Sequence, residues 1–296
     1  MPPSDTFFTL RPHWDWLIVL YFFFGGISAG SYMFAAILDL FGRPSDRPMA
    51  RLGYFVAFPT MLVCPLLLTV DLTHPERFWH MILQNHTMQP IFKPYSPMSV
   101  GAWGLLLFGF FVTLSFLGAL GETRTGWRSF AGLGRGTLGK VIAAIGGIPA
   151  FFIAGYTGVL LSTTNRPLWA DTPMLGALFL LSGASTAAAL LAWLGHRRAL
   201  PASVSWIRRV DTWIILLEIV VLIVTVITLG GVARLWMSGW GLLLLVGVVL
   251  FGLLVPLFMH YRPAFGGPNG VAIAAALVIL GGFLLRVVVI FSSEAA

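Results

Sequence analysis

Four residues stand inside or at the ends of long apolar segments, where each could take part in chemistry. Asp71 closes one such segment, and Tyr156 lies near the end of another, in AGYTGVLLS. Glu218 lies within WIILLEIVVLIV and Arg286 within GGFLLRVVVIF. An ionisable side chain inside hydrocarbon costs several kcal/mol, so such a residue is by default a functional candidate.

The charged candidates also have structural alternatives. Arg286 could extend towards the membrane interface, because long cationic side chains snorkel. Glu218 is close enough to the start of its segment to pair with Arg208 or Arg209. Two further acidic residues at helix ends are expected to be interfacial caps or topology signals: Asp39 and Asp211.

The histidines and the cysteine limit the cofactor sites available to this protein. A haem held in a membrane needs axial ligands within the spans, and none of the six histidines lies in the middle of an apolar segment. The single cysteine, Cys64, excludes an iron–sulfur cluster bound by this chain alone, because such clusters need about four thiolates. We therefore expect no haem, no iron–sulfur cluster and no metal in this chain.

The composition identifies the class of protein. Of the 296 residues, 58% are hydrophobic and 10% are charged, whereas a soluble domain carries roughly 25% charged residues. A helix of about 20 apolar residues crosses the hydrocarbon core of a bilayer. The apolar runs predict an all-α polytopic membrane protein, a single domain over 1–296, with eight spans: 16–41, 53–70, 98–121, 138–162, 174–194, 212–230, 240–259 and 270–291.

Basic residues divide unevenly between the predicted loops. Twelve of the 18 Lys and Arg residues fall in the first, third, fifth and seventh loops, and five fall on the opposite side. Cytoplasmic loops carry the excess of positive charge, so we expect these four loops in the cytoplasm and both termini on the outer, periplasmic side. The longest outer loop, from Asp71 to Pro97, is rich in aromatic residues, which favours a docking role.

This topology brings several candidate groups to one level near the outer face. His13 immediately precedes the first span, Asp71 ends the second, Tyr156 lies near the outer end of the fourth, and Arg286 occupies the outer third of the eighth. A quinone needs hydrogen-bond partners for two carbonyl oxygens, a proton donor or acceptor, and an apolar slot for its tail. The constellation suits that ligand class, although interfacial anchoring would use the same residue types.

Seven segments, spread over essentially the whole chain, share one resemblance. They read HWDWLIVLYFFFGGISAGSY, DLTHPERFWHMIL, SPMSVGAWGL, AGYTGVLLS, NRPLW, LFLLSGASTAAA and GGFLLR. Together they resemble the NrfD/PsrC family, the integral membrane subunits of polysulfide reductase and related complexes. The resemblance implies two four-helix bundles, a menaquinone or ubiquinone site near the outer face and no bound haem. It also implies two partners: a ferredoxin-like subunit with four iron–sulfur clusters, on the outer face, and a molybdopterin catalytic subunit.

The constellation and the resemblance together imply the expected site. The quinone-binding candidates are His13, Asp71, His74, Arg77, Tyr156 and Arg286. Among them, Tyr156 and His13 are expected to bind the head group, and Asp71 is expected to accept a proton. Arg77 and Arg286 are expected to polarise or hold the Asp71 carboxylate. Glu218, if it is hydrated, could open a proton path from the cytoplasm towards the quinone.

The sequence thus predicts a quinone-reactive subunit of a multi-subunit oxidoreductase in the bacterial or archaeal cytoplasmic membrane. Two other classes of protein are alternatives. A secondary transporter would show inverted repeats and interrupted helices with polar residues at the midplane, and a purely structural anchor would have no redox site. The terminal substrate depends on the partner subunit.

Overall fold

A computed structural model describes residues 14–198, 200–262, 266–267 and 269–294. Within these ranges the chain is helical, and its extended pairing is limited to an isolated bridge between Leu83 and Pro90. Eight of the described helices are long and apolar enough to cross a membrane. They are α1 (Trp16–Phe41), α2 (Arg47–Asp71), α3 (Pro97–Thr123), α4 (Gly136–Ser162), α5 (Leu175–Arg197), α6 (Pro201–Leu229), α7 (Gly239–Tyr261) and α8 (Gly270–Glu294). The prediction of an all-α protein with eight spans is confirmed.

Two helices begin well before the apolar runs that predicted them. α2 begins at Arg47 instead of 53, and α6 begins at Pro201 instead of 212. Hydropathy locates the segment that can lie in hydrocarbon, whereas the helix continues through the interface with charged residues in its first turns. Both starts carry a proline in the first two positions, where its missing N–H costs nothing.

The centre of the molecule is formed by α1 and α5, the two most buried spans. Their contact depends on small residues, because a Cβ added to Gly183 would lie 3.0 Å from the Cα of Gly26. One turn further on, a Cβ added to Gly30 would lie 2.7 Å from the Cβ of Ala187. In membranes, small residues of this kind let two helix backbones approach closely.

The other six spans surround this pair. On one side of the pair, α1 packs on α2 and α4, and α3 lies against these same two helices. On the other side, α5 packs on α6 and α8, and α7 lies against α8. The backbone N–H of Trp14, just before α1, donates to the Glu294 carboxylate at the end of α8 at 3.1 Å. The start of α1 and the end of α8 therefore lie on the same side. The division into two four-helix bundles, and the side of the membrane that this end faces, stay predictions.

Candidate functional site

Tyr156 of α4 is buried at the end of the bundle where α3 begins. Its hydroxyl donates to the carbonyl of Pro97, the first residue of α3, at 2.7 Å, and the side chain is 7% exposed. The ring stacks on Phe152 at 5.1 Å between centroids. A Cβ at Gly101 would overlap the Tyr156 ring, so the glycine in SPMSVGAWGL creates the space that the phenol occupies.

Two further buried groups lie on neighbouring helices. Tyr21 of α1 is buried, and its backbone carbonyl lies 4.0 Å from the sulfur of Cys64 on α2. The Cys64 thiol is fully buried, with its sulfur 3.3 Å from the carbonyl of Thr60. Both residues stand in uninterrupted apolar runs, where a tyrosine or a cysteine is usually a packing residue, so no local pattern distinguished them. The packing of α1 on α2 thus brings Tyr21 and Cys64 together in the interior.

The predicted residues that follow α2 are placed differently. Asp71, His74 and Arg77 are exposed. The Nδ1 of His74 lies 3.2 Å from the carboxylate of Glu76, and the Nε of Arg77 lies 3.8 Å from it. These contacts lie in a short 3-10 segment, Pro75–Met81, at the surface. They therefore provide groups that can exchange protons with water, outside the buried region around Tyr156.

His13, the remaining member of the predicted outer cluster, lies outside the described residues. The next residue, Trp14, is buried, with its ring 5.1 Å from that of Trp169 and 5.9 Å from that of Phe22. The entry into α1 is therefore held against the interior at the end of the bundle that carries Glu294.

Arg286 is buried in the interior and does not extend to the interface. The side chain is 1% exposed, and its guanidinium donates to the carbonyls of Gly282 and Phe22 at 2.6 and 3.2 Å. It also donates to the Ser182 hydroxyl of α5 at 3.3 Å and lies over the ring of Phe179 at 5.3 Å. The snorkelling alternative is therefore wrong.

Glu218 is also buried, at 2% exposure, and it points at the same group of residues. The polar side chains nearest in the interior are Ser182 of α5 and Arg286 of α8. The expected pairing with Arg208 or Arg209 is wrong, because α6 carries those two residues more than two helical turns away.

Asp211, expected to be an interfacial cap, lies in the interior. It is 2% exposed, accepts a hydrogen bond from Ser185 at 2.8 Å and lies 3.9 Å from the Nε2 of His260. The expectation failed because it placed the start of the helix at 212, whereas α6 begins at Pro201. Asp39 does lie near a helix end, where it accepts hydrogen bonds from Arg47 and, at 2.7 Å, from Tyr54.

Histidine, cysteine and carboxylate side chains do not converge on a metal position in the part of the chain that the structure describes. The groups available for chemistry are of two kinds. The first kind is the pair of phenols at the end of the bundle, and the second is the set of carboxyls, hydroxyls and Arg286 deeper inside.

Comparison with known proteins gives a consistent assignment. The family model described as "Polysulphide reductase, NrfD" matches residues 6–295. The protein is 27% identical to Protein NrfD of Escherichia coli strain K12, over 95% of the length of each. It is 26% identical to a component of the polysulfide reductase of Wolinella succinogenes, over 95% of this protein and 94% of the relative. A segment of 70 residues, 24% of this protein, is 36% identical to part of a component of the selenate reductase of Mesobacillus selenatarsenatis.

Proposed function

Because the chain belongs to the NrfD polysulphide reductase family and is a multi-pass membrane subunit of a reductase complex, we propose that it exchanges electrons and protons with membrane quinone. The site lies at the end of the bundle that carries Tyr156. The membrane is the bacterial cytoplasmic membrane, and the quinone is menaquinone or ubiquinone. The terminal reaction belongs to a partner subunit.

The buried phenol of Tyr156 is the observation that carries this proposal. Its hydroxyl is held by the Pro97 carbonyl, and its ring stacks on Phe152 in the apolar interior. A quinone carbonyl requires a hydrogen-bond donor, and its tail requires apolar walls. The donors and walls around Tyr156 fit such a group. A bound quinone would supply chemistry that transfers two electrons and two protons.

The residues of this protein would bind the head group and carry its protons. On binding, the Tyr156 hydroxyl would exchange the Pro97 carbonyl for a quinone carbonyl as its acceptor and so fix the orientation of the ring. His13 is proposed as the second head-group contact. The exposed residues Asp71, His74 and Arg77 would pass protons between the site and the adjacent solution, Asp71 acting as acceptor. Arg286 faces Glu218 in the interior, so we assign it to the buried groups instead of to the Asp71 carboxylate.

Electrons would leave through partner subunits, since we propose that this protein holds no haem and no iron–sulfur cluster. We propose that a ferredoxin-like iron–sulfur subunit docks on the outer loop between α2 and α3, and that a molybdopterin subunit forms the rest of the complex. The loop presents several large exposed apolar side chains, which support docking: Phe78, Met88, Phe92 and Tyr95. Aromatic and methionine side chains are enriched at protein interfaces.

We propose two four-helix bundles with outer termini, and the helix contacts support the division into bundles. Apart from the contacts of α1 and α4 with α5, most packing lies within α1–α4 or within α5–α8. We propose that these two groups are the bundles, joined through the close approach of Gly26 and Gly183.

The decisive experiment measures quinone binding and turnover in the purified complex. Tyr156→Phe removes the hydroxyl and keeps the ring, so we expect turnover to fall about fivefold, the equivalent of roughly 1 kcal/mol for one hydrogen bond. Tyr32→Phe is the matched control, because Tyr32 is a buried tyrosine hydrogen-bonded to Ser115 at 2.9 Å. Quinone-induced quenching of tryptophan fluorescence reports binding. Equal turnover in the two variants, together with no quenching in the wild type, would favour a purely structural anchor.

A further inference from the structure

A groove of about 430 Å³ runs along the membrane-facing side of α8, between that helix and its neighbours α1 and α5. The side chains that line it are all apolar, and three of them are the aromatic rings of Phe23, Trp193 and Phe283. The residues proposed to bind quinone are absent from its walls. The groove is therefore a separate feature of the molecule.

Small side chains on α8 create the space. Ala272 and Ala276 line the groove one helical turn apart, and Ala276 is exposed. At one end the rings of Phe23 and Phe283 lie 5.4 Å apart, and at the other the half-buried ring of Trp193 forms the wall. Water is absent from the hydrocarbon region of a bilayer, so hydrocarbon must fill a groove of this kind.

The length of the groove matches one leaflet of a bilayer. On α8 its lining runs from Ala272 to Phe283, which are three helical turns or about 16 Å apart. Half of the hydrocarbon core of a bilayer is about 15 Å thick. An acyl chain of a single leaflet therefore fits the groove, whereas a partner helix that crosses the membrane would need a matching face about twice as long.

Positive charge lies at the end of the groove where α5 ends. The guanidinium of Arg197, the last residue of α5, lies over the Trp193 ring at 5.8 Å from its centre. Arg197 and its neighbour Arg198 are both exposed. The segment 196–210 contains four arginines and no acidic residue. The charge at this mouth of the groove is therefore not offset by carboxylates of the same segment.

We propose that this groove binds an anionic phospholipid, with one acyl chain against Ala272 and Ala276 and the phosphate at Arg197. A guanidinium matches phosphate through two parallel hydrogen bonds. Trp193 lies between the two parts of the lipid, at the headgroup level where tryptophan is enriched. A zwitterionic headgroup carries a cation that the arginines repel, so a headgroup with net negative charge, as in phosphatidylglycerol, is favoured. In the predicted orientation this is the cytoplasmic leaflet, whose surface is negative.

The position of the mouth distinguishes this lipid from the quinone proposed above. A Cβ at Gly158 would overlap the carbonyl of Leu175, so Tyr156 is level with the first turn of α5. Trp193 lies five turns further along α5, or about 27 Å away. Arg197 therefore lies at the opposite end of the bundle from Tyr156, and a cation at that end selects an anion, whereas a quinone is uncharged. The lipid site does not depend on quinone exchange.

The test compares two lipids on the purified complex in a neutral detergent. Phosphatidylglycerol or phosphatidylcholine with the same acyl chains is added to delipidated complex, and native mass spectrometry measures binding. We expect phosphatidylglycerol to bind more tightly, and Arg197→Gln to weaken it about tenfold, as for one lost hydrogen bond to a charged group. Arg128→Gln is the matched control, because it removes the same charge from an exposed position between α3 and α4. Equal binding of the two lipids, or equal loss in the two variants, would overturn the proposal.

A second pair of variants tests the groove itself. Ala276→Phe fills the groove and leaves every charge in place, and Ala276→Leu is the smaller change if the first variant fails to assemble. Ala144→Phe is the matched control, because Ala144 is an exposed alanine of α4 outside the groove. We expect phosphatidylglycerol binding to fall about tenfold in the Ala276 variants only, and equal binding in the variants and the control would overturn the proposal.

The same preparations identify any other occupant. Solvent extraction of the wild-type complex should yield phosphatidylglycerol that the Ala276→Phe complex lacks. Quinone lost in place of phospholipid would assign the groove to a quinone tail and overturn the lipid site. A complex whose mass halves in the Ala276→Phe variant would assign the groove to a second copy of this chain, which also overturns the lipid site.

Discussion

Two groups of buried charges in this protein are built on different principles. Near the ends of α1, α2 and α3, Arg47 binds the carboxylates of Asp39 and Glu122, and Tyr54 donates to Asp39. Inside α5, α6 and α8, Asp211 and Glu218 face serine hydroxyls. In the first group, which we call the Arg47 cluster, direct cation contacts compensate the carboxylates. In the second, Asp211 accepts a hydrogen bond from a neutral hydroxyl, and Glu218 lies near one hydroxyl and one cation.

This comparison indicates that burial alone does not identify a functional carboxyl. Glu122 and Glu218 are both largely withdrawn from solvent, but Glu122 is also within 4 Å of Arg51 and Arg135. Several cations around one carboxylate fix its charge and hold three segments of the protein together. A carboxyl that lies near one cation and one hydroxyl is less firmly held than a carboxylate with several cation contacts. The partners of a buried carboxyl are therefore more informative about its role than the depth at which it is buried.

The largest expected effect comes from removing the cation of the Arg47 cluster. Arg47→Ala leaves two buried carboxylates without their main partner, which destabilises a protein by about 3–5 kcal/mol. Thermal unfolding of the detergent-solubilised subunit measures the loss. Turnover per folded complex should stay normal, since the cluster lies away from the quinone site. An unchanged melting temperature would remove the distinction between the two groups.

A matched pair of isosteric substitutions sharpens the same comparison. Asp39→Asn weakens hydrogen bonds to a charged partner, which contribute roughly 1.5–3 kcal/mol. Asp211→Asn keeps an acceptor for Ser185 and removes a charge from apolar surroundings, so we expect a change below about 1 kcal/mol. Unfolding measurements on both variants show which substitution lowers the free energy of unfolding more. A larger loss for Asp211→Asn would mean that its charge is structural.

The loop between α2 and α3 differs from both groups because most of its large apolar side chains are exposed. We expect Trp79→Ala combined with Phe92→Ala to release the proposed iron–sulfur partner on solubilisation, because aromatic anchors dominate interface energetics. The stability of this subunit should change little, since Phe92 is 57% exposed. Copurification at fixed detergent and salt is the measurement. Undiminished recovery of the partner would place docking elsewhere.

The substitutions with the smallest expected effect test which side of the membrane each loop faces. Single cysteines at His86 and Gly132, in a Cys64→Ser background, replace exposed residues and should not affect folding. A membrane-impermeant thiol reagent applied to intact cells should label position 86 and not 132. The reverse pattern would invert the predicted orientation, and with it the side of the membrane on which the proposed quinone site lies.

The sequence by itself determined the class of fold and the family. Runs of about 20 apolar residues leave no alternative to membrane-spanning helices, so all eight spans were predictable, and the motifs indicated the family that the comparisons confirm. Hydropathy also selected Glu218 and Arg286 as unusual, because a charge in an apolar run is visible without a structure.

Only the tertiary structure decided which groups meet. Arg286 lies more than 100 residues from Ser182 and more than 260 from Phe22, and no local pattern encodes contacts at those separations. Asp211 looked interfacial because hydropathy cannot detect the polar first turns of α6, which extend the helix and carry Asp211 into the interior. The same limit hid Tyr21 from the sequence. Its surroundings depend on how α1 packs on α2, which sets the Cys64 sulfur 4.0 Å from its carbonyl.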